Sequence, residues 1–164
     1  VTFGAVHVVG SRDGADAWGQ YPGDLASGRP AGDQPDLRLA EIAARRAAAV
    51  AWIDAIFDHA ATAHSEAVFV MMQAEPVAGD PEYARVRERL LARASAFGGP
   101  VWMGHGDQHT YVLTPEYGGV PNLTRLEVPG DQAAIDRWLE VTASCGADSA
   151  TVFAVETVFV EPGA

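Results

Sequence analysis

The first two thirds of the chain contain nearly continuous apolar runs, separated by stretches with helical spacing. Residues 1–9 (VTFGAVHVV) are rich in β-branched and aromatic residues, which is typical of a strand, and the run ends at Gly10. Residues 66–72 (EAVFVMM) and 101–103 (VWM) are apolar almost throughout, as strands buried on both faces of a sheet are. The pattern therefore predicts three buried strands in this part of the chain.

Two amphipathic helices are predicted between these strands. From Asp36 to about His64, apolar positions recur at intervals of three and four, with Asp33 or Asp36 as the expected cap. Arg46 interrupts the apolar stripe, and we expect its stem to pack while its guanidinium reaches an edge or an acid. Residues 81–97 form the second helix, which Gly98-Gly99-Pro100 ends. The stripe of the first helix consists of Leu39, Ile42, Arg46, Ala49, Ile53, Phe57 and Ala60.

The last third of the chain largely loses the helical spacing. Strands are predicted over residues 110–113, 123–128, 137–143 and 151–160. Residues 131–137 suit a short helix, whereas residues 10–36 have no periodicity and are predicted to form a long loop. Alternating strands and helices followed by a run of strands indicate one layered α/β domain over residues 1–164, with an antiparallel last third.

Charge and composition narrow the chemistry that such a domain can perform. The 164 residues carry a net charge of −11, and all eleven basic residues are arginine. The absence of lysine excludes a Schiff-base lysine, a Ser–Lys dyad and a phosphate loop that ends in Gly-Lys. Nucleic-acid binding is not expected of so acidic a chain. No apolar run is long enough to suggest a membrane span.

Residues with side chains that could bind a ligand follow the predicted strands directly. This is the expected place for a site, because ligands of α/β sheets bind beyond the carboxyl ends of the strands. Gln73 and Glu75 follow the second buried strand. The third runs into Gly104-His105-Gly106-Asp107-Gln108-His109, which offers two imidazoles and a carboxylate to a borderline cation. By itself this HxDxH pattern fits a metal site and a polar turn about equally well.

Other chemically distinctive residues have ordinary structural interpretations. We expect His59 and His64 to interact with the carboxyl end of the first helix, and His7 to be a hydrogen-bonded core residue. The single cysteine, Cys145, is expected to be a small buried or half-buried thiol. Glu75 suits a supporting acid near the strand ends. The remaining expectations are that Trp52 and Trp102 belong to the core and that Asn122, formally in a glycosylation sequon, begins a strand.

Several blocks, in the right order, resemble a bacterial branch of the calcineurin-like metallophosphoesterases. The resemblance is carried by PVWMGHGDQHTYVL, PNLTRLEVPG and WLEVT, and earlier by FGAVHVVGS and VFVMMQAEP. It extends from residue 3 to about residue 143 and corresponds to the carboxyl-terminal half of that domain. It implies a layered α/β/β/α sandwich of which only the second half is present, with an antiparallel C-terminal part.

The resemblance also implies a metal site and a reaction. Enzymes of this family use two divalent cations (Mn, Fe or Zn) to hydrolyse a phosphoester substrate. Gly106-Asp107-Gln108-His109 matches the family's Gly-His-x-His motif, with His109 as one metal ligand and Asp107 in place of the other His. Gln73 stands where an earlier motif usually has a His and would be a weak ligand. His105 would support these ligands or donate to the substrate phosphate, and it is our candidate catalytic residue.

The motifs of the family's first half are missing. The chain has a single asparagine, Asn122, so it cannot contain the Asn-His motif of that half. We therefore expect weak metal binding and little turnover, the first half being lost or encoded elsewhere. The alternative is a non-catalytic α/β module that dimerises, or binds a partner such as the missing half, through the sheet edge left open.

Two other catalytic classes fit the sequence poorly. A 2-His-1-carboxylate iron site needs another histidine on a later strand, and none follows His109. A serine hydrolase needs a Gly-x-Ser-x-Gly elbow or its equivalent, which the sequence does not contain.

Overall fold

A computed structural model describes residues 1–17, 28, 32–130, 137–144 and 152–160. Its elements in chain order are β1 (Thr2–Ala5), α1 (Gly10–Gly14), α2 (Pro35–Thr62), β2 (Val68–Met71), α3 (Ala84–Ala96), β3 (Val101–His105), β4 (Val112–Thr114), β5 (Leu123–Glu127), β6 (Arg137–Ala143) and β7 (Phe153–Phe159). A 3-10 turn, Tyr117–Gly119, precedes β5. The described residues thus have a mixed α/β fold, as predicted, and the expected short helix and Cys145 lie outside them.

Five strands form one mostly parallel sheet in the order β1-β2-β3-β5-β4. β1, β2, β3 and β5 are parallel, and β4 pairs antiparallel with β5 at the edge. The expected antiparallel last third is correct for the β4–β5 pair and for the separate β6–β7 hairpin, but wrong for the pairing of β5 with β3, which is parallel. β5 lies inside the sheet because Leu123 and Leu126 are buried on opposite faces, which suits an internal parallel strand.

Helices cover one face of this sheet and the hairpin covers the other. Val70, Met103 and Leu123 belong to the core between the sheet and the helices α2 and α3. Phe69 and Trp102 belong to a second core on the opposite face, which includes residues of β6 and β7. Phe153 of the hairpin packs 5.3 Å from the Trp102 ring, measured between ring centroids. The described residues therefore form three layers: helices, sheet and hairpin.

Most of the residues of α2 that were predicted to be in the core are buried, but one of them is exposed. Ile42, Ile53 and Phe57 are buried, whereas Leu39 is exposed and that prediction is wrong. Trp102 is in the core as expected, and Trp52 is not, because its side chain is 55% exposed. Trp52 lies at the outer edge of the sheet, where its Nε1 donates to the carbonyl of Ala5 on the edge strand β1.

Polar residues around α2 also depart in part from expectation. Gln34 precedes the helix without a side-chain cap, and Asp33 instead accepts from Arg38 Nε at 2.9 Å, so neither expected aspartate caps it. Arg46 does reach acids, as predicted. His7 is exposed rather than a core histidine. In the part of the chain that the structure describes, we find no helix with the length and apolarity that a membrane span requires.

Asn122 connects the end of α3 to the start of β5. Its Nδ2 lies 2.9 Å from the carbonyl oxygens of Ala94 and Phe97 and 2.7 Å from that of Gly99. These carbonyls follow or end a helix, where backbone acceptors otherwise lack intrahelical partners. Asn122 therefore has the structural role expected of it, at the residue immediately before β5.

We expect Asn122→Ala to lower the free energy of unfolding by about 1–3 kcal/mol, because it leaves these carbonyls without their donor. Asn122→Asp should cost more, since it places a carboxylate oxygen against carbonyl oxygens. Denaturant unfolding measures both, with the exposed Glu88→Ala as the control. Equal stability of Asn122→Ala and the wild type would contradict this role.

Candidate functional site

Gln73 and Asp107 come together at the carboxyl ends of two adjacent parallel strands. Gln73 follows β2 and Asp107 follows β3. The Nε2 of Gln73 donates to Asp107 Oδ1 at 3.2 Å, and the backbone N–H of Gly10 donates to Gln73 Oε1 at 2.5 Å. The segments after β1, β2 and β3 therefore meet at one point, which is the place predicted for a ligand.

The close approach of these segments depends on the absence of a side chain at residue 10. A Cβ added to Gly10 would lie 2.8 Å from Asp107 Oδ1 and 3.5 Å from the amide group of Gln73. The first distance is shorter than real Cβ contacts allow, so a larger residue would displace Asp107 or the backbone after β1. Gly10 thus leaves the room that the two polar side chains occupy.

The turn that follows Gly10 is strained and is held by buried ion pairs. Ser11, Arg12 and Asp13 have φ values of 54°, 54° and 57°, the left-handed region that costs about 1–2 kcal/mol per residue. Asp13 is 2% exposed, and both Arg45 and Arg46 pair with its carboxylate. Removing a partner from such a pair is costly, so these pairs stabilise the turn against its backbone strain.

Tyr83, from the loop before α3, ties the same turn to the rest of the protein. Its hydroxyl accepts from the N–H of Asp13 and donates to the carbonyl of Val9, both at 2.9 Å. Burial raises the pKa of Tyr83, while the bond from Asp13 opposes the shift. The tyrosine therefore keeps its proton and can donate to Val9.

His105, the candidate catalytic residue, is buried rather than open to solvent. Its exposed fraction is 2%, and neither ring nitrogen has a hydrogen-bond partner among the described residues. Alternation along β3 places it on the helix face with Met103, next to its register partner Glu127 on β5. A role in binding substrate phosphate stays a prediction, and it would require an opening to the ring.

An ion-pair cluster surrounds Arg125 on this face of the sheet. Arg125 Nη1 lies 3.0 Å from Glu75 Oε1, and its Nη2 lies 2.8 Å from Glu127 Oε2. The hydroxyl of Tyr117 also donates to Glu75 Oε1, at 2.8 Å. Glu75 thus binds other side chains near the strand ends, and its role as a supporting acid of the site stays a prediction.

Every buried side-chain atom without a partner in the described residues belongs to this region. These atoms are His105 Nδ1 and Nε2, Glu127 Oε1, Arg125 Nε and Arg87 Nε. The guanidiniums of Arg87 and Arg125 both lie over the Tyr117 ring, 5.5 and 5.9 Å from its centroid. Buried polar atoms are otherwise almost always paired, so this cluster carries an energetic cost.

Burial sets the protonation states of the two neutral members of the cluster. Burial lowers the pKa of His105 below its ordinary value of 6.5, against the opposing charges of Glu127 and Glu75. Burial and the hydrogen bond to Glu75 raise the pKa of Tyr117 to about 12. At neutral pH the imidazole is therefore uncharged and the phenol keeps the proton that it donates to Glu75.

His109 packs against the chain that follows β5. It has a φ of 59°, and its carbonyl accepts from the N–H of Gly130 at 3.2 Å. A Cβ on Gly130 would lie only 2.4 Å from His109 Cγ, so the ring rests directly on this glycine. The position of His109 is therefore fixed by packing, and its role as a metal ligand stays a prediction.

The described residues fit a two-metal centre poorly. They contain no group of three or more His, Cys, Asp or Glu side chains positioned to hold a metal ion. What they offer is the carboxylate of Asp107 beside the amide of Gln73, whose nitrogen faces Asp107 and whose oxygen already accepts from Gly10. Divalent cations take about four to six or more ligands, so these groups would hold one cation weakly and would need further ligands.

Sequence reasoning found Gln73, Asp107 and Glu75 but missed the buried charges around them. One signal was present for Arg125 and Glu127: they occupy alternate positions of an apolar strand and so share one face. No comparable signal marks Asp13, because its partners Arg45 and Arg46 lie in another element and any acid nearby would suit them.

Comparisons with protein-family models, with characterised proteins and with solved structures find no match to this chain. The resemblance to metallophosphoesterases consequently depends on the motifs of the sequence itself.

The lowered pKa of His105 predicts a pH dependence of stability. The unfolded chain takes up a proton near pH 6.5 and the folded protein only at lower pH, so stability should fall as the pH drops below 6.5. His105→Phe should lose that part of the pH dependence, because the ring can no longer be charged. Unfolding free energies measured between pH 5 and 8 test this.

The exposed His59→Gln is the control for this experiment and should keep the pH dependence of the wild type. An unchanged profile in His105→Phe would show that the buried imidazole is not responsible.

Proposed function

We propose that this chain is part of a metal-dependent hydrolase of phosphoester bonds, with a divalent cation at the carboxyl ends of β2 and β3. The observation that supports the proposal most directly is the contact between Gln73 and Asp107. Two motifs separated by a whole helix, each matched to a ligand-bearing motif of metallophosphoesterases, have their side chains 3.2 Å apart. The location also agrees with the rule for ligands of parallel sheets.

Each residue has a defined part in this proposal. Asp107 is the main cation ligand, because it offers a carboxylate and is only partly buried. Gln73 Nε2 orients that carboxylate, and the N–H of Gly10 in turn fixes the amide of Gln73. A cation bound there would neutralise negative charge on a phosphate oxygen. The proposal includes His109 as a further ligand. It also includes Mn, Fe or Zn as the cation.

The proposal includes the four-layer α/β/β/α sandwich of the metallophosphoesterases. The helix, sheet and hairpin layers of the described residues would correspond to its second half. The remaining layer and the remaining cation ligands would come from residues outside those described, or from another chain. We therefore propose that the described residues bind the cation weakly and that turnover requires the complete site.

Calorimetric titration with Mn²⁺ and Zn²⁺ tests the cation site. The wild type should bind, and Asp107→Asn should lower the affinity at least about tenfold, which corresponds to about 1.4 kcal/mol. Gln73→Ala and His109→Ala should each weaken binding because they remove an orienting group or a ligand. Glu88→Gln, which removes the same charge from an exposed site on α3, should leave the affinity unchanged.

An affinity that is the same in the wild type and in Asp107→Asn would contradict the proposed site. Assays with a phosphomonoester and a phosphodiester in the presence of these cations complete the test. Substantial turnover by this chain alone would show that the motifs absent from it are not needed.

A second candidate function is an assembly module that pairs through the open edge of β1. The N–H groups of Thr2 and Val6 bond to carbonyls on the β2 side, so the backbone of Phe3 and Ala5 faces away from the sheet. Trp52 Nε1 donates to the outward carbonyl of Ala5 at 2.8 Å, and Phe3 is 59% exposed beside it. Among the described residues this edge is unpaired and carries exposed aromatic side chains, which favours pairing with another strand.

For this candidate we propose a second copy of the chain as the partner. Pairing across a two-fold axis brings the same edge of both copies together and makes the two β1 strands antiparallel. Light scattering should then find a dimer of the 17.3 kDa chain, which Phe3→Lys converts largely to monomer. Phe159→Lys is the matched control, because Phe159 is also 59% exposed but lies on the hairpin.

A monomeric wild type, or equal effects of the two lysine variants, would contradict pairing through β1. The dimer could also dissociate when a separate chain that supplies the missing half is added. That result would favour the added chain as the natural partner.

A further inference from the structure

A pocket of about 320 Å³ lies between the sheet and the hairpin at the carboxyl ends of β2 and β3. Its walls include Phe69, Met71, Leu126, Leu139 and Val141. An apolar cavity of about 150 Å³ is enough to bind benzene, so this space can hold a ring with substituents. The pocket is on the face of the sheet opposite the cluster around Arg125.

The chemistry of the wall selects an uncharged occupant. Among the described residues that line the pocket, none is Asp, Glu or Arg, and His105 is the only one with a polar side chain. By strand alternation its imidazole lies on the helix face with Met103, so the side chains that face the pocket are apolar. A sugar or a nucleotide would leave several hydroxyl groups unpaired in such a place, which is costly.

The pocket adjoins the proposed cation site along the chain. Met72 and Gly106 line it, and each directly precedes a residue of that site, Gln73 or Asp107. The N–H of Gly106 also donates to the carbonyl of Gln73 at 3.1 Å, which joins the two strand ends at the rim. A molecule with an anionic group at Asp107 and its cation would have its organic part directed to this rim.

We propose that the pocket binds the alkyl or aryl group of the phosphoester, so that the substrate is the ester of a hydrophobic alcohol. The inference rests on the proposed function for the position of the phosphate, and on the pocket itself for the class of alcohol. Phenol serves as the probe of the pocket, since it is the alcohol of an aryl phosphate and needs no metal to bind.

The three methionines of the chain report on this binding when their methyl groups are labelled with ¹³C. Met71 lines the pocket on the hairpin face, whereas Met72 borders it but belongs, with Met103, to the core on the helix face. Phenol should shift the Met71 methyl resonance with saturation and leave that of Met103 nearly unchanged. No saturable shift, or an equal shift of all three, would overturn the inference.

Val141→Phe should fill the pocket and weaken phenol binding at least about tenfold. Val155→Phe is the matched control, because Val155 is the register partner of Val141 and packs on the same core but does not line the pocket. Leu139→Phe is a second pocket variant if the first does not fold. Equal weakening by Val155→Phe would overturn the inference.

A competition experiment connects the pocket to the ester. In the presence of Zn²⁺, phenyl phosphate should displace phenol, and glycerol phosphate should not. Displacement by both esters alike would overturn the assignment to a hydrophobic alcohol. The phenol titration without metal and the metal titration without phenol are separate, so failure of the pocket and failure of the proposed cation site give different results.

Discussion

The parallel register of β1, β2, β3 and β5 is the constraint on which the rest of the structure depends. Parallel neighbours end at the same edge of the sheet, so residues far apart in the chain come together there. The two helical crossovers after β1 and β2 make this possible and cover one face. The contact of Gln73 with Asp107 and the register of His105 with Glu127 are both consequences of that arrangement.

Two groups of buried charges near this edge illustrate different uses of burial. The carboxylate of Asp13 is paired with two arginines, and it stabilises a strained turn that positions Gly10. The cluster around Arg125 is only partly paired, because its histidine and one oxygen of Glu127 lack partners among the described residues. A paired charge fixes one geometry, whereas unpaired atoms mark a place where water or a ligand atom would be bound most favourably.

The fold was predictable where the signal is local. β2 and β3 are continuous apolar runs, and the buried face of α3 repeats every three or four residues, so each is evident from a short window of sequence. The direction of β5 was not predictable, because pairing with β3 is decided by distant residues. The exposure of Trp52 has the same origin, since it depends on what covers α2 and not on the helix itself. For the candidate site, the meeting of Gln73 and Asp107 followed from the strand-end rule, but the partners of Asp13 did not.

The end of β3 separates two kinds of surface, and this separation bears on how a substrate could bind. Successive residues of a strand point to opposite faces, so Met103 belongs to the helix-side core and Trp102 to the hairpin-side core. Arg125 and Glu127 make the helix face polar, while Phe69 and Leu126 make the hairpin face apolar.

Asp107 lies beyond the last residue of the strand, where the two faces meet. A ligand with one anionic and one apolar end can therefore use the tip and the hairpin face together. The ion pairs of the helix face are then left to hold the strand ends in place, because opening them to a ligand would break the bonds of Arg125 to both Glu75 and Glu127.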